Sequence, residues 1–405
     1  MNIFMQTNGC PRRQADASRL MHYFTVNGCK MVNKPRLADY IIFVSCSVVK
    51  SVGKASWKAI GEFKRYKGKL IVLGCLPGVD LKFDQRFKGR YLATKDLNRI
   101  DTFFDKFKFK FSDVPDTGFV HPATTDLTRV GTLNIRKVLT KFSRRDDFFR
   151  QRLNPFLKGI NKENERTALS KKVVYLRISH GCVENCSFCG ITRAIGRLKS
   201  KPVKDLAAEY RKFLAKGFRR FIILADNTGA YGLDIGSTFE ELLESLLIAS
   251  KNFRVQWHLE QMHPRWMLRY KTLVTKLVKT KKIRKISCSI QSGSNRILKL
   301  MNRGHTIEEI TTILLQLRKC NPGLKLRTEI IAGFPTETKE DFSATLIMLR
   351  KIRFNYVFVY PYTDVCGTRA SLYKKTSSEV TYRRVEIVND LIKQEKMLPD
   401  FLYDW

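Results

Sequence analysis

The chain reads as an α/β protein in two parts, an N-terminal parallel-sheet domain followed by a partial (β/α)6 barrel. Three observations lead there. Short apolar runs alternate with mixed, helix-like segments over the first part of the chain and again from Lys172 onward, the pattern of parallel strands joined by crossover helices. Apolar residues make up 43% of the 405 residues and charged residues 28%, enough to bury a core over a length that suits two or three domains. Cysteines also follow several of the predicted strands closely, and in open parallel sheets that end of the strand borders the ligand crevice.

The first three strands are Ile3-Phe4-Met5, Tyr40-Ile41-Ile42-Phe43-Val44 and Leu70-Ile71-Val72-Leu73, each ending at or shortly before a cysteine: Cys10, Cys46 and Cys75. Thiols far apart in sequence can meet at the carboxyl edge of such a sheet, which is a metal-site geometry. This domain is expected over residues 1 to 100. Residues 101 to 171 are expected to form a basic linker or insertion. Within it, Phe103 to Phe111 alternates aromatic and charged residues, the period of one half-buried strand, with a base-stacking strip as the competing reading.

From residue 172 to 372 six further strands recur between helical segments: Val173 to Ile178, Phe221 to Leu224, Val255 to Trp257, Lys285 to Ile290, Arg327 to Ile331 and Tyr356 to Tyr360. Six such units build an open α/β barrel whose chemistry lies at the C-terminal rim of its strands. Residues 373 to 405 are expected as a helical tail.

Lys and Arg number 75 against 37 Asp and Glu, a net charge of +38. That attracts polyanions, so nucleic acid is the first partner to consider, while a Lys-rich composition accounts for the same figure. No apolar run is long enough for a transmembrane helix and the N-terminus lacks a secretory leader, so no membrane partner is expected and the cytoplasm is the default location. Ten cysteines under those conditions point to metal binding or catalysis rather than disulfides.

The sharpest motif is Cys182-Val183-Glu184-Asn185-Cys186-Ser187-Phe188-Cys189, just past the first barrel strand. Three thiolates in one tight loop can hold three irons of a 4Fe–4S cluster and leave the fourth open. A structural zinc site competes, but it normally closes with four ligands, and no fourth Cys or His follows nearby.

With these residues in place, the sequence resembles the radical S-adenosylmethionine (SAM) superfamily, and within it the methylthiotransferases that modify a tRNA adenosine or a ribosomal-protein aspartate. The resemblance rests on the CxxxCxxC run, on Thr7-Asn8-Gly9-Cys10, Val44-Ser45-Cys46-Ser47 and Leu73-Gly74-Cys75-Leu76, and on the segments Ala225 to Gly232, Met262 to Arg265, Ile290 to Gly304 and Ile330 to Thr338. It implies two 4Fe–4S clusters, one on Cys182, Cys186 and Cys189 and an auxiliary one on Cys10, Cys46 and Cys75. It implies two SAM molecules per turnover, one for radical formation and one for methylation of the inserted sulfur, and an electron donor such as flavodoxin or ferredoxin. Phe188 is implied to lie against the adenine. Asp226, Asn227, Gln291, Ser292 and Gly333 are the candidates for further SAM contacts, with helix capping as the competing role of the first two. The family's Arg before a glycine is here Ile195, and its small C-terminal β-barrel, which commonly grips tRNA, does not follow before Trp405. The expected function is methylthiolation of a tRNA adenosine. The same chemistry on a protein or peptide, or a noncatalytic iron–sulfur RNA-binding protein, are the alternatives.

Overall fold

The computed structural model describes residues 1–120 and 173–399, which fall into two compact units. The first holds residues up to Tyr175 together with Arg193–Ile195, and the second Leu176–Thr192 and Gly196 onward.

In the first unit, strands β1 (Asn2–Thr7), β2 (Lys30–Met31), β3 (Tyr40–Ser45), β4 (Lys69–Gly74) and β5 (Arg90–Ala93) form a five-stranded sheet in the order β2-β1-β3-β4-β5, parallel throughout. Its central strands are apolar at consecutive positions because both faces are covered. Ile3 and Met5 of β1 pack with Ile42 and Val44 of β3 against Leu20, Tyr23 and Phe24 of helix Pro11–Val26. Phe4, Ile41, Phe43 and Val72 face the other way, onto Ala59, Ile60 and Phe63 of helix Lys50–Phe63. The three predicted strands are present here. Two short ones, β2 and β5, add to them, and two to four residues carry too little periodicity to be predicted.

The predicted Phe103 to Phe111 strand does not form. The segment runs from a 3-10 helix, Thr94–Phe103, through turns into a second one, Phe111–Asp113. Phe104 and Phe111 are buried in the core under helix Pro11–Val26, Phe107 stacks on Phe104, and Phe109 is exposed. The alternation is broken by turns that send successive rings in different directions, and the rings fill a core rather than a base-stacking strip. Residues up to Val114 therefore belong to the first unit's core instead of to a linker starting at 101. The remainder of the expected linker, residues 121 to 171, lies outside the described residues.

The strands of the second sheet are β6 (Phe119–Val120), β7 (Val173–Arg177), β10 (Arg220–Leu224), β11 (Gln256–Met262), β12 (Ile283–Cys288), β13 (Lys325–Ala332), β14 (Tyr356–Pro361) and β15 (Leu398–Pro399), while β8 (Ser179–His180) and β9 (Lys199–Ser200) pair separately. The eight lie in the order β15-β14-β13-β12-β11-β10-β7-β6. All six predicted barrel strands are found, and β15 adds in parallel to β14. Strand β6 runs antiparallel to β7. Several crossover helices start on side-chain caps, with full capping boxes at Thr306 and Glu309 and at Thr338 and Asp341. The tail after residue 373 is more than a helix. Helix Ser378–Gln394 buries Val388, Leu391 and Ile392, and Arg384 pairs with buried Glu337 at 2.7 Å.

Candidate functional site

The chain leaves β7, passes through β8 and turns at Gly181 into the Cys182–Cys189 loop. Gly181 has φ +82°, and a Cβ there would lie 2.0 Å from the Arg197 carbonyl oxygen, so no other residue fits without moving the backbone. Its amide donates to Asp226 Oδ2 at 2.9 Å. Two further segments hold the loop from outside. The Ser187 amide donates to the Met301 carbonyl at 3.0 Å, and the Ala370 amide to the Ser187 carbonyl at 2.9 Å. Asn302 Nδ2 and Arg369 Nη2 both reach the Asn185 carbonyl, at 2.8 and 3.0 Å.

Each of the three sulfurs faces hydrogen-bond donors. The Glu184 amide lies 3.4 Å from Cys182 Sγ and Arg303 Nη1 3.2 Å from Cys186 Sγ, while the Ile191 and Thr192 amides bond to Cys189. Burial nevertheless pushes the Cys182 thiol up to about 12 and raises that of Cys189, with the neighbouring thiols adding to both shifts. Such thiols keep their protons until a metal displaces them, so metal loading here releases protons. The donor set fits an iron–sulfur cluster. It consists of thiols alone, each facing N–H groups suited to a thiolate, beside a buried guanidinium. Among the described residues no three His, Cys, Asp or Glu side chains close round one ion, whereas a cluster is ligated at separate iron corners.

Glu184, inside the loop and buried, forms a network that sequence reasoning missed. Its Oε1 accepts from Asn227 Nδ2 at 3.1 Å and Trp266 Nε1 at 2.8 Å, while Oε2 lies 3.5 Å from Arg265 Nη1 and 4.0 Å from His263 Nε2. The segment Met262 to Arg265 stands out as a motif, but nothing in its spacing ties it to a residue some eighty positions earlier.

The candidate SAM contacts spread over this rim. Asp226 holds the Gly181 turn and Asn227 holds Glu184, so both serve the cysteine loop, and Asn227 makes no side-chain cap on the turn Thr228–Ala230. The Asn227 Oδ1 atom is buried without a partner. Gln291 follows β12 with φ +80°, bridges to β13 at Ile330, and leaves its buried Oε1 unpartnered. A non-glycine residue at such φ is strained, a feature that clusters at functional sites. Ser292 is fully buried and its hydroxyl accepts from the Ser294 amide at 3.2 Å, next to Thr345. Gly333 also has positive φ, +73°, and its missing Cβ makes room for Thr381 of helix Ser378–Gln394. Phe188 packs with Ile297, Met301 and Phe334.

In the first unit, register brings the other thiols to one edge. Thr7 pairs with Val44, and Ser45 with Gly74, so Cys46 and Cys75 continue neighbouring strands, and Cys10 stands at the N-cap position of helix Pro11–Val26 just beyond β1, its thiol making no cap. Cys46 is raised by burial and by Cys10 nearby, against the Val48 amide and the Arg13 and Arg12 guanidiniums. Arg13 is itself buried and pairs with Asp16 at 2.9 Å. The Asn8 side chain fastens this edge by accepting from the Cys46 amide at 3.0 Å and donating to Ser56 Oγ at 2.8 Å.

Comparison with known proteins follows the same division. Residues 176–349 match the family described as the radical SAM superfamily, and residues 2–87 the one described as uncharacterized protein family UPF0004. A probable threonylcarbamoyladenosine tRNA methylthiotransferase of Pyrococcus abyssi is 28% identical over 96% of this chain and 83% of its own length. A tRNA-2-methylthio-N(6)-dimethylallyladenosine synthase of Pseudothermotoga lettingae is 28% identical over 98% and 84%. A ribosomal protein uS12 methylthiotransferase RimO of Thermosipho melanesiensis is 27% identical over 97% and 83%. Among solved structures, the radical S-adenosylmethionine methyltransferase TsrM of Kitasatospora setae superposes with a TM-score of 0.56 at 10% identity, covering 88% of this chain and 72% of that one. That likeness speaks for the fold alone.

Proposed function

We propose that this chain, a member of the radical SAM methylthiotransferase family, inserts sulfur and a methyl group into an unactivated C–H bond of a tRNA adenosine. The observation that carries the reading is the Cys182–Cys189 loop, whose three sulfurs each face N–H donors at the rim of the barrel. Membership in the family implies 4Fe–4S and SAM as cofactors. When bound, they supply reductive cleavage of the sulfonium and the sulfur to be inserted.

In this reading Cys182, Cys186 and Cys189 hold the radical cluster, and Cys10, Cys46 and Cys75 a second, auxiliary one, with two SAM molecules used per turnover. Phe188, Gln291 and Gly333 line the SAM side of the rim. Asp226 and Asn227 act through the loop they hold, and the partnerless Asn227 Oδ1 offers an acceptor to a ligand amino group. The net charge of +38 supports an RNA substrate, because it favours association with phosphates. The RimO relatives support a second reading, the same chemistry on a ribosomal protein.

Anaerobically reconstituted protein, incubated with SAM, reductant and either tRNA or a uS12 peptide, separates these readings by mass spectrometry. The expected result is one sulfur and one methyl gained on tRNA, with binding that weakens steeply as salt rises. Gain on the peptide with tRNA unchanged contradicts the first reading. RNA binding without 5′-deoxyadenosine formation contradicts both.

A further inference from the structure

Arg303 follows helix Asn295–Leu300 and is only 4% exposed. Its guanidinium spans two partners, donating through Nη1 to Cys186 Sγ at 3.2 Å and through Nη2 to the Ser289 carbonyl. Among the described residues no carboxylate forms an ion pair with it. Glu184, the carboxylate of the cysteine loop, is engaged by Asn227, Trp266 and Arg265 instead. His263 and His305 beside the arginine are driven toward their neutral forms by burial first, with the Arg303 charge adding to the effect at His263, whereas at His305 the hydrogen bond to the Arg303 carbonyl opposes it. A cation this deeply buried requires a compensating negative charge, because its desolvation costs far more than one neutral hydrogen bond returns. The group it points at is the sulfur of Cys186.

We propose that the cluster on Cys182, Cys186 and Cys189 is the counter-ion of Arg303, and that Arg303 sets the potential at which that cluster accepts its electron. Arg303 is thus a positioning residue. It touches a ligand sulfur and takes no part in bond making. The inference rests on the assignment of the three cysteines to an iron–sulfur cluster. Its effect has a definite sign. One electron from an external reductant makes the cluster more negative by one charge, and a fixed positive charge beside a ligand sulfur stabilises that reduced form over the oxidised one. Hydrogen bonds to the sulfurs act in the same direction. Removing the guanidinium therefore makes the cluster harder to reduce. The Ser289 carbonyl adds specificity, since a planar fork can satisfy both acceptors at once and a lysine ammonium on a flexible stem matches that geometry less well.

The test uses the full chain with Cys10, Cys46 and Cys75 changed to alanine, so that a single cluster titrates, carrying Arg303, R303K or R303Q. Each protein is reconstituted anaerobically, its iron and sulfide are counted, and its midpoint potential is measured by dithionite titration followed by electron paramagnetic resonance. Iron and sulfide counts report on the cluster assignment separately from the potential. R303Q is expected to disfavour reduction about tenfold, a fall of about 59 mV for one electron, and R303K about threefold. Full iron with an unchanged potential in R303Q overturns the proposal. If R303Q fails to take up iron, R303M, which also removes the charge, decides in its place. A lower potential at full iron content supports the counter-ion role, and an unchanged one overturns it.

Discussion

The N-terminal cysteines are gathered from three strand ends of a five-stranded parallel sheet, whereas the second set lies within one loop after the first barrel strand. Both sites place a buried arginine beside cysteine sulfur, yet they neutralise it differently. Arg13 has Asp16 at 2.9 Å and lies near Cys46. Arg303 pairs with no carboxylate among the described residues and donates to Cys186. On the proposed assignment, the first arginine is a structural ion pair that stands without a metal, while the second depends on the cluster its cysteine would hold. A sulfur-carrying cluster and an electron-accepting cluster would call for such different settings.

The largest expected effect breaks the comparison by removing one site at a time. Alanine at Cys182, Cys186 and Cys189 is expected to reduce 5′-deoxyadenosine formation to background. Alanine at Cys10, Cys46 and Cys75 is expected to leave it measurable while abolishing the methylthiolated product. Chromatography of the nucleosides from one reaction reads both outcomes, and equal loss of deoxyadenosine in the two variants would erase the proposed division of labour.

Next in size is the ion pair of the first unit. D16A strands the Arg13 guanidinium in a buried position, which is expected to cost about 3–5 kcal/mol. Denaturant unfolding of the metal-free protein measures it, and a change under about 1 kcal/mol would show that Arg13 leans on the cysteines as Arg303 does.

Acid sharpens the contrast from the other side. His258, His263 and His305 are buried in the second unit and held below the usual imidazole range, mainly by burial, His305 at about 4. Their neutral forms contribute stability that is complete above about pH 6.5 and is lost as pH falls toward each folded value, because the unfolded chain then binds more protons. Between pH 7 and 4 the second unit should therefore lose stability, at up to about 1.4 kcal/mol per pH unit for each such histidine. A pH-independent unfolding midpoint of that unit over this range would contradict the burial argument.

The smallest effects concern the glycines before the cysteines. Gly74 has φ +105° with its absent Cβ 2.3 Å from the Ser45 carbonyl, and Gly181 repeats the arrangement against Arg197. G74A and G181A are each expected to cost about 2–3 kcal/mol, from the unfavourable φ and the backbone shift together, with iron loss confined to the adjoining site. Iron loss at both sites from one substitution would mean that they do not fold independently.

Much of the fold is legible in the sequence. The nine predicted strands are present because apolar runs covered on both faces leave an unmistakable mark, and the six cysteines stand out by their position after those strands. The aromatic run from Phe103 to Phe111 misleads because alternation in sequence mimics a strand even when turns scatter the rings. Glu184 and Arg303 escape notice for another reason. One sits in the cysteine loop and the other far downstream, and their importance arises from partners the fold alone brings together: Trp266, Arg265 and Asn227 for Glu184, Cys186 for Arg303. Arg303 stands within the Ile290 to Gly304 motif, but a charged residue there reads equally well as a solvated one.

The central claim is that two thiol triplets each seat their own cluster, and counting iron and acid-labile sulfide in oxygen-free protein tests it most directly. The account predicts about eight irons and eight sulfides per chain, falling to about four of each when either triplet is replaced by alanine. A content of about four that survives loss of the N-terminal triplet and was never higher, or zinc in place of iron, would contradict it.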